Sequence, residues 1–502
     1  MFISKALILI TLLIAALLRF YNLPETFVFA GDEEHQTLLA ESIVKDFHII
    51  WIGVNAAHLG FYLGPYWTYF TAFWLWLSQG NMLITAYVAS AIGVFTTLLV
   101  ILIGSTLFGK RTGLIAGLLY ATLPLMVFFD QRYWNPSLIP VLSILLLLSL
   151  AKLKQNPKMA ILFAASFGMV FHTHLSLVPL ILIAIFWIVW KKIKLPKKII
   201  FLSAAVFLFM IFPLVIFDYF HKGTNITTPL RFQEISAAPV NNVNPVHHFQ
   251  ALFQTMGRIW YLQPYGINGD EIIAPCALSS RTDTIRELSK FSKRFNPPLF
   301  LSIAGSAILL LFLFNKLTWK NENNLLLALF ISTMIISFLF FPGAAFEYYL
   351  LGSFPLFLFL AGILISYFKK FQYLIYAAVL ILSVLGVFTV VTNNNEYSFA
   401  AKRSLIRQVK EIIGQEPFNI KQAGICHAHE AWRYFFVLNN IKPERSDSDE
   451  GLGWLYPDEI TEKPARYTVV LSEERVPVNF DVSNARVITL KGFKAYIFLN
   501  KI

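Results

Sequence analysis

Long apolar runs recur along most of the chain and limit its fold more than any other feature. The 502 residues are 57% hydrophobic and 14% charged, whereas soluble proteins have about 25% charged residues. Runs of 17 or more apolar residues recur, and each is long enough to cross a bilayer as a helix. We therefore predict an all-α polytopic membrane bundle and exclude a soluble protein with one core.

The apolar runs predict about eleven transmembrane helices. They lie near residues 2–18, 82–107, 113–129, 136–151, 159–175, 176–190, 199–217, 298–315, 325–341, 349–368 and 371–391. With a cytoplasmic N-terminus, the short basic loops all fall on the cytoplasmic side, as the positive-inside rule requires. This distribution explains the net charge of +12 without a nucleic-acid partner. The first run lacks a small-residue cleavage site, so we expect an uncleaved anchor.

Three longer stretches fall on the extracytoplasmic side. Residues 19–81 and 218–297 are predicted outer loops of a transmembrane domain that covers residues 1–391. Residues 392–502 have a soluble composition and predict a small extracytoplasmic α/β domain. Its predicted helices are Ser398–Ile413 and Ala431–Leu438, and its predicted strands are Gln422–His427, Tyr467–Leu471, Ala485–Leu490 and Ala495–Leu499. The sequence thus predicts a multi-pass protein of the cell inner or plasma membrane.

Three consecutive acids, Asp32, Glu33 and Glu34, begin a predicted amphipathic helix in the first outer loop. Carboxylates are costly in a membrane bundle and therefore informative. Neighbouring helical residues point about 100° apart, so Asp32 and Glu33 suit different tasks, one as general base and one holding a partner. The alternative is structural, since first-turn acids favour the helix dipole and Gly31-Asp32 can act as a cap.

Two cationic candidates lie on the same predicted side as the acids. Arg132 occupies the turn between the third and fourth spans, where a guanidinium can bind a phosphate bidentately. Its alternative role is an interfacial anchor beside Tyr133 and Trp134. His58 follows the acids and is a second candidate donor to a phosphate, although a lone interfacial histidine is more often simply solvated.

Aromatic and acidic residues complete the candidate site. Tyr62 lies in a run rich in glycine and proline, while Glu347 and Tyr348 begin the tenth span, and all three are candidate substrate-binding residues. Their alternative is an interfacial aromatic belt with one exposed acid. His172 and His174 are two residues apart and do not form a helical metal pair, although one of them can face the site. Further candidates at a lipid-phosphate entrance are His247, His248, Arg258, Arg281 and Arg286.

The sequence contains no recognisable nucleotide or metal motif. It has no P-loop and no G-x-G-x-x-G after a strand, so an activated substrate must arrive within the membrane or from outside. Cys276 and Cys426 lack metal-ligand spacing, and two cysteines do not form a disulfide framework. A single disulfide between them is the alternative. We predict no required cofactor or metal, and a divalent ion at Asp32 and Glu33 is the alternative.

These elements together resemble the GT-C superfamily of integral-membrane glycosyltransferases. The similarity is strongest to the branch of protein O-mannosyltransferases and aminoarabinose transferases of lipid A, and it covers about the first 390 residues. It rests on Asp32-Glu33, Gly64-Pro65-Tyr66, Arg132 and Tyr348-Tyr349-Leu350…Pro355. The mannosyltransferase pattern has an acid shortly after the arginine, whereas this chain has Asn135-Pro136-Ser137.

The resemblance implies an inverting transfer of a hexosyl or pentosyl group from a polyprenyl-phosphate sugar at the outer face of the membrane. The acceptor is a lipid, glycan or protein hydroxyl. Asp32 and Glu33 match the family's catalytic acid and its neighbour, and Arg132 matches its arginine. The competing prediction is a lipid or solute transporter or flippase, which typically has repeated halves and midplane charges. A third reading is an accessory subunit.

Overall fold

A computed structural model describes residues 2–47, 49–56, 61–230, 245–263, 297–341, 346–423, 431–446, 459, 464–474, 478 and 480–500. Several residues singled out from the sequence lie outside these ranges. They are His58, Cys276, Arg281, Arg286 and Cys426.

The described chain is mainly helical, which confirms the predicted membrane bundle with a small C-terminal α/β part. Its α-helices are α1 (Phe2–Phe20), α2 (Leu23–Thr26), α3 (Gly31–Asp46), α4 (Tyr66–Leu77), α5 (Ile84–Phe108), α6 (Lys110–Thr122), α7 (Pro124–Gln131), α8 (Ile139–Lys152), α9 (Met159–Thr173), α10 (Leu180–Trp190), α11 (Lys197–Phe220), α12 (Thr224–Leu230), α13 (Pro245–Arg258), α14 (Leu299–Phe314), α15 (Lys316–Lys320), α16 (Glu322–Leu339), α17 (Phe354–Tyr367), α18 (Gln372–Val391), α19 (Phe399–Ile413) and α20 (Arg433–Leu438). Short 3-10 helices occupy Asn135–Leu138, Leu175–Leu177, Glu347–Ser353 and Lys369–Phe371.

Six helical segments of the described chain are long and apolar enough to cross a membrane, and a bent pair makes a seventh. Shorter apolar helices at Met159–Thr173, Leu175–Trp190 and Leu299–Phe314 occupy three further predicted spans. The segment Glu347–Tyr367 is central, because 83% of its apolar stretch of 18 residues is buried inside the protein. In α11 only 6% of the corresponding stretch is buried. The exposed apolar face of α11 is typical of a lipid-facing helix.

The bent pair consists of α6 and α7, which meet at 66°. Leu123 between them has an extended backbone, with φ −70° and ψ 128°, directly before Pro124. Proline disfavours helical geometry in the preceding residue and lacks an amide donor. The third predicted span is therefore broken, and α7 turns to place residues 130–132 at its C-terminal end.

A buried ion pair joins the end of α1 to α7. Arg19 donates to Asp130 Oδ2 from Nε at 2.9 Å and from Nη2 at 2.6 Å. It also donates to the carbonyls of Tyr120 and Ala121, and the Tyr120 hydroxyl donates to Asp130 Oδ1 at 2.9 Å. The Arg19 side chain is completely buried. Both charges are compensated within the bundle, which a buried ion pair requires.

Apart from the short antiparallel pair of β1 (Asn55–Ala56) and β2 (Phe61–Tyr62), the strands of the described chain lie in the C-terminal part. They are β3 (Phe418–Ala423), β4 (Arg445–Ser446), β5 (Tyr467–Glu473), β6 (Arg486–Leu490) and β7 (Phe493–Leu499), and they form a mixed sheet with the order β4-β3-β5-β7-β6. Strand β3 is parallel to β4 and β5, and β7 is antiparallel to β5 and β6.

One strand prediction is wrong in position. The strand predicted at Gln422–His427 begins at Phe418 instead, because the alternating residues Phe418 and Ile420 are buried, at 2% and 0% exposure. Residues 424–430 lie outside the described ranges. The other three strands and both helices overlap their predicted ranges.

Replacing Arg19 by Met is expected to lower the free energy of unfolding by about 3–5 kcal/mol, because Asp130 loses its compensating charge. The double variant Arg19→Met/Asp130→Leu removes both charges and is expected to recover part of this loss. Thermal unfolding in detergent measures both effects. A double variant less stable than Arg19→Met would contradict the ion-pair explanation.

Candidate active site

The three predicted acids occupy the first turn of α3 in different environments. Asp32 is solvent-exposed, whereas Glu33 and Glu34 are 0% exposed. Ala30 precedes the helix with an extended backbone, and its amide N–H donates to Glu33 Oε2 at 3.2 Å. Glu33 therefore supplies the reciprocal contact of a capping box. The capping alternative is realised by Glu33, and the Asp32 carboxylate faces solvent.

Glu33 also pairs with Arg132 at the end of α7. Arg132 Nε donates to Glu33 Oε1 at 3.0 Å, and the Arg132 side chain is only 6% exposed. The guanidinium carbon lies 3.8 Å from the centre of the Trp134 ring, a cation–π geometry. Burial raises the pKa of Glu33, and the negative charge of Asp32 adds to this effect, while Arg132 opposes it. The division of tasks between Asp32 and Glu33 stays a prediction.

Aromatic side chains extend the site from Trp134 towards the turn before α17. The Trp134 ring lies 4.7 Å from the Tyr348 ring, and His174 lies 5.6 Å from Tyr348 and 5.1 Å from Tyr349, between ring centres. These residues come from three separate parts of the chain. They form a continuous aromatic surface beside the Glu33–Arg132 pair, and it includes the predicted residue Tyr348.

His174 is the one of the two paired histidines that faces this surface. Its Nδ1 accepts the Ser176 amide N–H at 3.2 Å, so the proton of the neutral ring lies on Nε2. The ring is therefore neutral in this arrangement, and it joins the aromatic surface through Tyr348 and Tyr349.

His172 has a structural role instead. It is 0% exposed, and its Nδ1 accepts the Tyr66 amide N–H at 3.2 Å while Nε2 lies 2.6 Å from the Met210 carbonyl. A Cβ at Gly64 would lie 2.1 Å from His172 Nδ1. The Gly64-Pro65-Tyr66 element therefore has a glycine because the chain passes directly against the histidine ring.

Two predicted substrate-binding residues make other contacts. The Tyr62 amide donates to Asn225 Oδ1 at 2.8 Å, and its ring lies 5.4 Å from Phe217, which attaches β2 to α11 and α12. Glu347 is 0% exposed and forms an ion pair with Arg258 Nε at 2.9 Å. This pair joins α13 to the turn that carries Tyr348. A role of Tyr62 or Glu347 in substrate binding stays a prediction.

Among the described residues, no group of three or more His, Cys, Asp or Glu side chains could hold a metal ion. His58, the remaining predicted phosphate donor, lies outside those residues. The described site therefore consists of an exposed carboxylate, a buried Glu–Arg pair, a neutral histidine and aromatic rings.

Replacing Arg132 by Met is expected to destabilise the fold in a pH-dependent way. The pKa of Glu33 is already raised by burial, and it rises further without Arg132. The folded state then holds a proton that the unfolded chain releases above its ordinary pKa of about 4.3, so stability falls as pH increases. The loss relative to wild type should therefore be larger at pH 8, where it reaches about 3–5 kcal/mol, than at pH 5.

Thermal unfolding at both pH values measures this difference. The double variant Arg132→Met/Glu33→Gln is the control, because it has no carboxyl group to titrate at residue 33, so its own stability should lack the fall with pH that Arg132→Met shows. Equal losses for Arg132→Met at pH 5 and pH 8 would refute the pairing as the source of the effect.

Comparison with known proteins adds a family match over part of the chain and a fold to this geometry. A sequence model described as dolichyl-phosphate-mannose-protein mannosyltransferase matches residues 63–217. This range contains Arg132 and His174 but not Asp32. Comparison with curated protein sequences gives no match.

Solved structures cover nearly the whole chain at low identity. ArnT from Cupriavidus metallidurans bound to undecaprenyl phosphate has a TM-score of 0.58 and 10% identity, over 97% of both chains. The Archaeoglobus fulgidus oligosaccharyltransferase in complex with Zn and sulfate has a TM-score of 0.53 and 14% identity, over 93% of this chain and 68% of that one. AglB from Archaeoglobus fulgidus with an inhibitory peptide and a dolichol-phosphate has a TM-score of 0.50 and 11% identity, over 94% and 69%.

Identities in this range establish the fold alone, and the family match adds the sequence relationship for residues 63–217. The bundle of apolar helices makes the chain an integral membrane protein. The predicted resemblance is confirmed: the protein has the fold of the GT-C membrane glycosyltransferases and resembles their protein mannosyltransferase and ArnT-like branch.

Proposed function

We propose that this protein transfers a sugar from a polyprenyl-phosphate donor to an acceptor hydroxyl, with inversion at the anomeric carbon. One observation carries the proposal. An exposed carboxylate, Asp32, directly precedes Glu33, which forms a buried ion pair with Arg132. The Trp134 ring over that arginine belongs to the same aromatic surface as His174. The family match and the fold support a transferase, and the undecaprenyl phosphate bound to ArnT and the dolichol-phosphate bound to AglB support a lipid-phosphate donor.

Asp32 acts as the general base in this mechanism. Its carboxylate takes the proton of the acceptor hydroxyl while the hydroxyl oxygen forms a bond to the anomeric carbon. The bond between that carbon and the phosphate oxygen breaks at the same time, and polyprenyl phosphate departs. A positioned base of this kind contributes typically 10²–10⁴-fold to the rate. The exposure of Asp32, in contrast to the burial of Glu33, suits direct contact with a substrate.

The leaving phosphate needs donors that are already in place, because its negative charge grows during the reaction. Arg132 presents a planar guanidinium whose orientation is fixed by Glu33 on one side and by the Trp134 ring on another. The proton on His174 Nε2 supplies a neutral donor on the same surface. The aromatic rings of Tyr348 and Tyr349 form the adjoining wall, where a sugar can pack or form hydrogen bonds.

We propose that the reaction takes place at the extracytoplasmic face, with the N-terminus in the cytoplasm and residues 392–502 outside. The support is the distribution of basic loops, which places the 19–81 segment and its acids on the outer side. The acceptor belongs to the lipid, glycan or protein class. A transporter would move the donor or another solute without consuming it, so an assay with labelled polyprenyl-phosphate sugar separates the two functions.

Replacing Asp32 by Asn is expected to lower kcat for sugar transfer by about 10²–10⁴-fold, because the acceptor proton loses its base. Binding of the donor lipid should change little. The matched control is Asp46→Asn, which removes an exposed acid at the other end of the same helix. Transfer of radiolabelled sugar from the lipid donor measures both variants. Wild-type turnover in Asp32→Asn would exclude Asp32 as the base.

We also propose that transfer requires no metal ion. Treatment with EDTA, followed by dialysis, is therefore expected to leave the transfer rate unchanged. The measurement is the same labelled-sugar assay before and after addition of Mg²⁺ or Mn²⁺. Loss of transfer with EDTA, restored by either ion, would overturn this part of the mechanism.

A further inference from the structure

The peptide unit between Phe29 and Ala30 is bound on both of its polar sides. Its carbonyl oxygen accepts a hydrogen bond from Lys402 Nζ at 2.7 Å. Its amide N–H donates to Glu33 Oε2 at 3.2 Å. A single peptide unit therefore lies between the ammonium group of Lys402 in α19 and the buried carboxylate of Glu33 in α3. Lys402 and Phe29 are 373 residues apart in the sequence.

Lys402 is unusually placed for a lysine. It is 1% exposed, and its ammonium lies 4.9 Å from the Trp432 ring centre and 5.6 Å from that of Phe493. Burial of a charge is costly unless the charge is compensated. The Phe29 carbonyl and the faces of two aromatic rings contribute to that compensation, and the packing of the C-terminal part holds the ammonium at this carbonyl.

The start of α19 and the residues just before it bind the preceding residues of the segment. Asn395 Nδ2 donates to the Thr26 carbonyl at 3.2 Å, and the Phe399 amide donates to the Phe27 carbonyl at 2.9 Å. Phe29 is completely buried, and its ring packs 5.8 Å from that of Phe435. Three carbonyls of residues 26–29 are thus bound by the chain that follows the last apolar helix.

We propose that Lys402 is a positioning residue for the first turn of α3, which carries Asp32 and Glu33. It acts through the Phe29–Ala30 peptide, which in turn holds Glu33. This inference rests on the proposed function, because it assigns Lys402 a role in sugar transfer. The C-terminal part then helps to fix the positions of the residues at the donor site, in addition to any contact that it makes with an acceptor.

The physical basis is polarisation along the hydrogen-bonded chain. A positive charge at the carbonyl strengthens the N–H of the same peptide as a donor, because consecutive hydrogen bonds polarise one another in a low-dielectric interior. The ionised form of Glu33 is stabilised by this donor. The other charged groups that face Glu33 are Arg132, which favours ionisation, and Asp32, which opposes it. Loss of the Lys402 charge therefore raises the pKa of Glu33.

The first test is independent of activity. Hydrogen–deuterium exchange, read by mass spectrometry on peptides that cover residues 27–34, is compared between full-length wild type, Lys402→Met and Lys410→Met. Lys410 is a matched control, since it lies on the same helix and donates to a backbone carbonyl, that of Asn439, at 2.6 Å. We expect faster exchange in Lys402→Met only. Unchanged exchange at residues 27–34 in Lys402→Met would overturn the proposal.

The second test uses the rate of sugar transfer. Lys402→Met should lower kcat by about tenfold or more, as expected for loss of a hydrogen bond from a charged group, with little change in KM. The acid limb of its pH–rate profile should move to higher pH, while Lys410→Met keeps the wild-type profile. A uniform loss of rate without a shift of the limb would show a structural role only and would refute positioning through Glu33.

Lys402→Gln provides the answer if Lys402→Met does not fold, because glutamine retains a donor but lacks the charge. The same shift of the acid limb supports the proposal, and a wild-type limb contradicts it. If wild-type protein transfers no sugar, the proposed function fails, whereas the exchange comparison still decides whether Lys402 holds the segment before α3.

Discussion

Residues 130–132 bind the chain at two places, the end of α1 and the start of α3. Asp130 pairs with Arg19 at the end of α1, and Arg132 pairs with Glu33 at the start of α3. Between them, Gln131 Nε2 donates to the Arg19 carbonyl at 3.2 Å. All four charges are almost fully buried, and a buried ion without its partner is strongly destabilising. The position of Asp32 therefore depends on two ion pairs that converge on the end of one short helix.

The break between α6 and α7 makes this convergence feasible. A straight third span would continue along its own axis beyond Thr122, whereas Pro124 allows α7 to leave at 66°. Short 3-10 turns then follow at Asn135–Leu138, where the Ser137 hydroxyl donates to the Arg132 carbonyl at 2.9 Å. The residues that replace the acid of the mannosyltransferase pattern thus fix the backbone that carries the arginine.

Local patterns were sufficient for the features that depend on local chemistry. Apolar runs predicted the helices, and an acid cluster after the first run predicted where α3 begins. The partners within the site were harder, because Glu33 and Arg132 are 99 residues apart, and Arg258 meets Glu347 only after α13 folds back on the bundle. No spacing rule joins residues at such separations.

The histidines show the same limit at closer range. Their spacing of two residues indicated different directions, but not which ring would face the site. His174 directly follows the last residue of α9, and its neighbour Tyr349 lies about 175 residues later in the sequence, in the 3-10 helix before α17. The glycine at position 64 was visible as a turn signal, while its close approach to His172 required the packed helices.

The contact between Lys402 and Phe29 has a consequence for biosynthesis. The peptide bond before the acids receives its ammonium partner only after 373 more residues have been made. At roughly 5–20 residues per second, the ribosome needs roughly 20–75 s for that stretch. During this interval the Phe29 carbonyl lacks the ammonium group that binds it in the folded protein, so the start of α3 receives its final contacts only once α19 has been made.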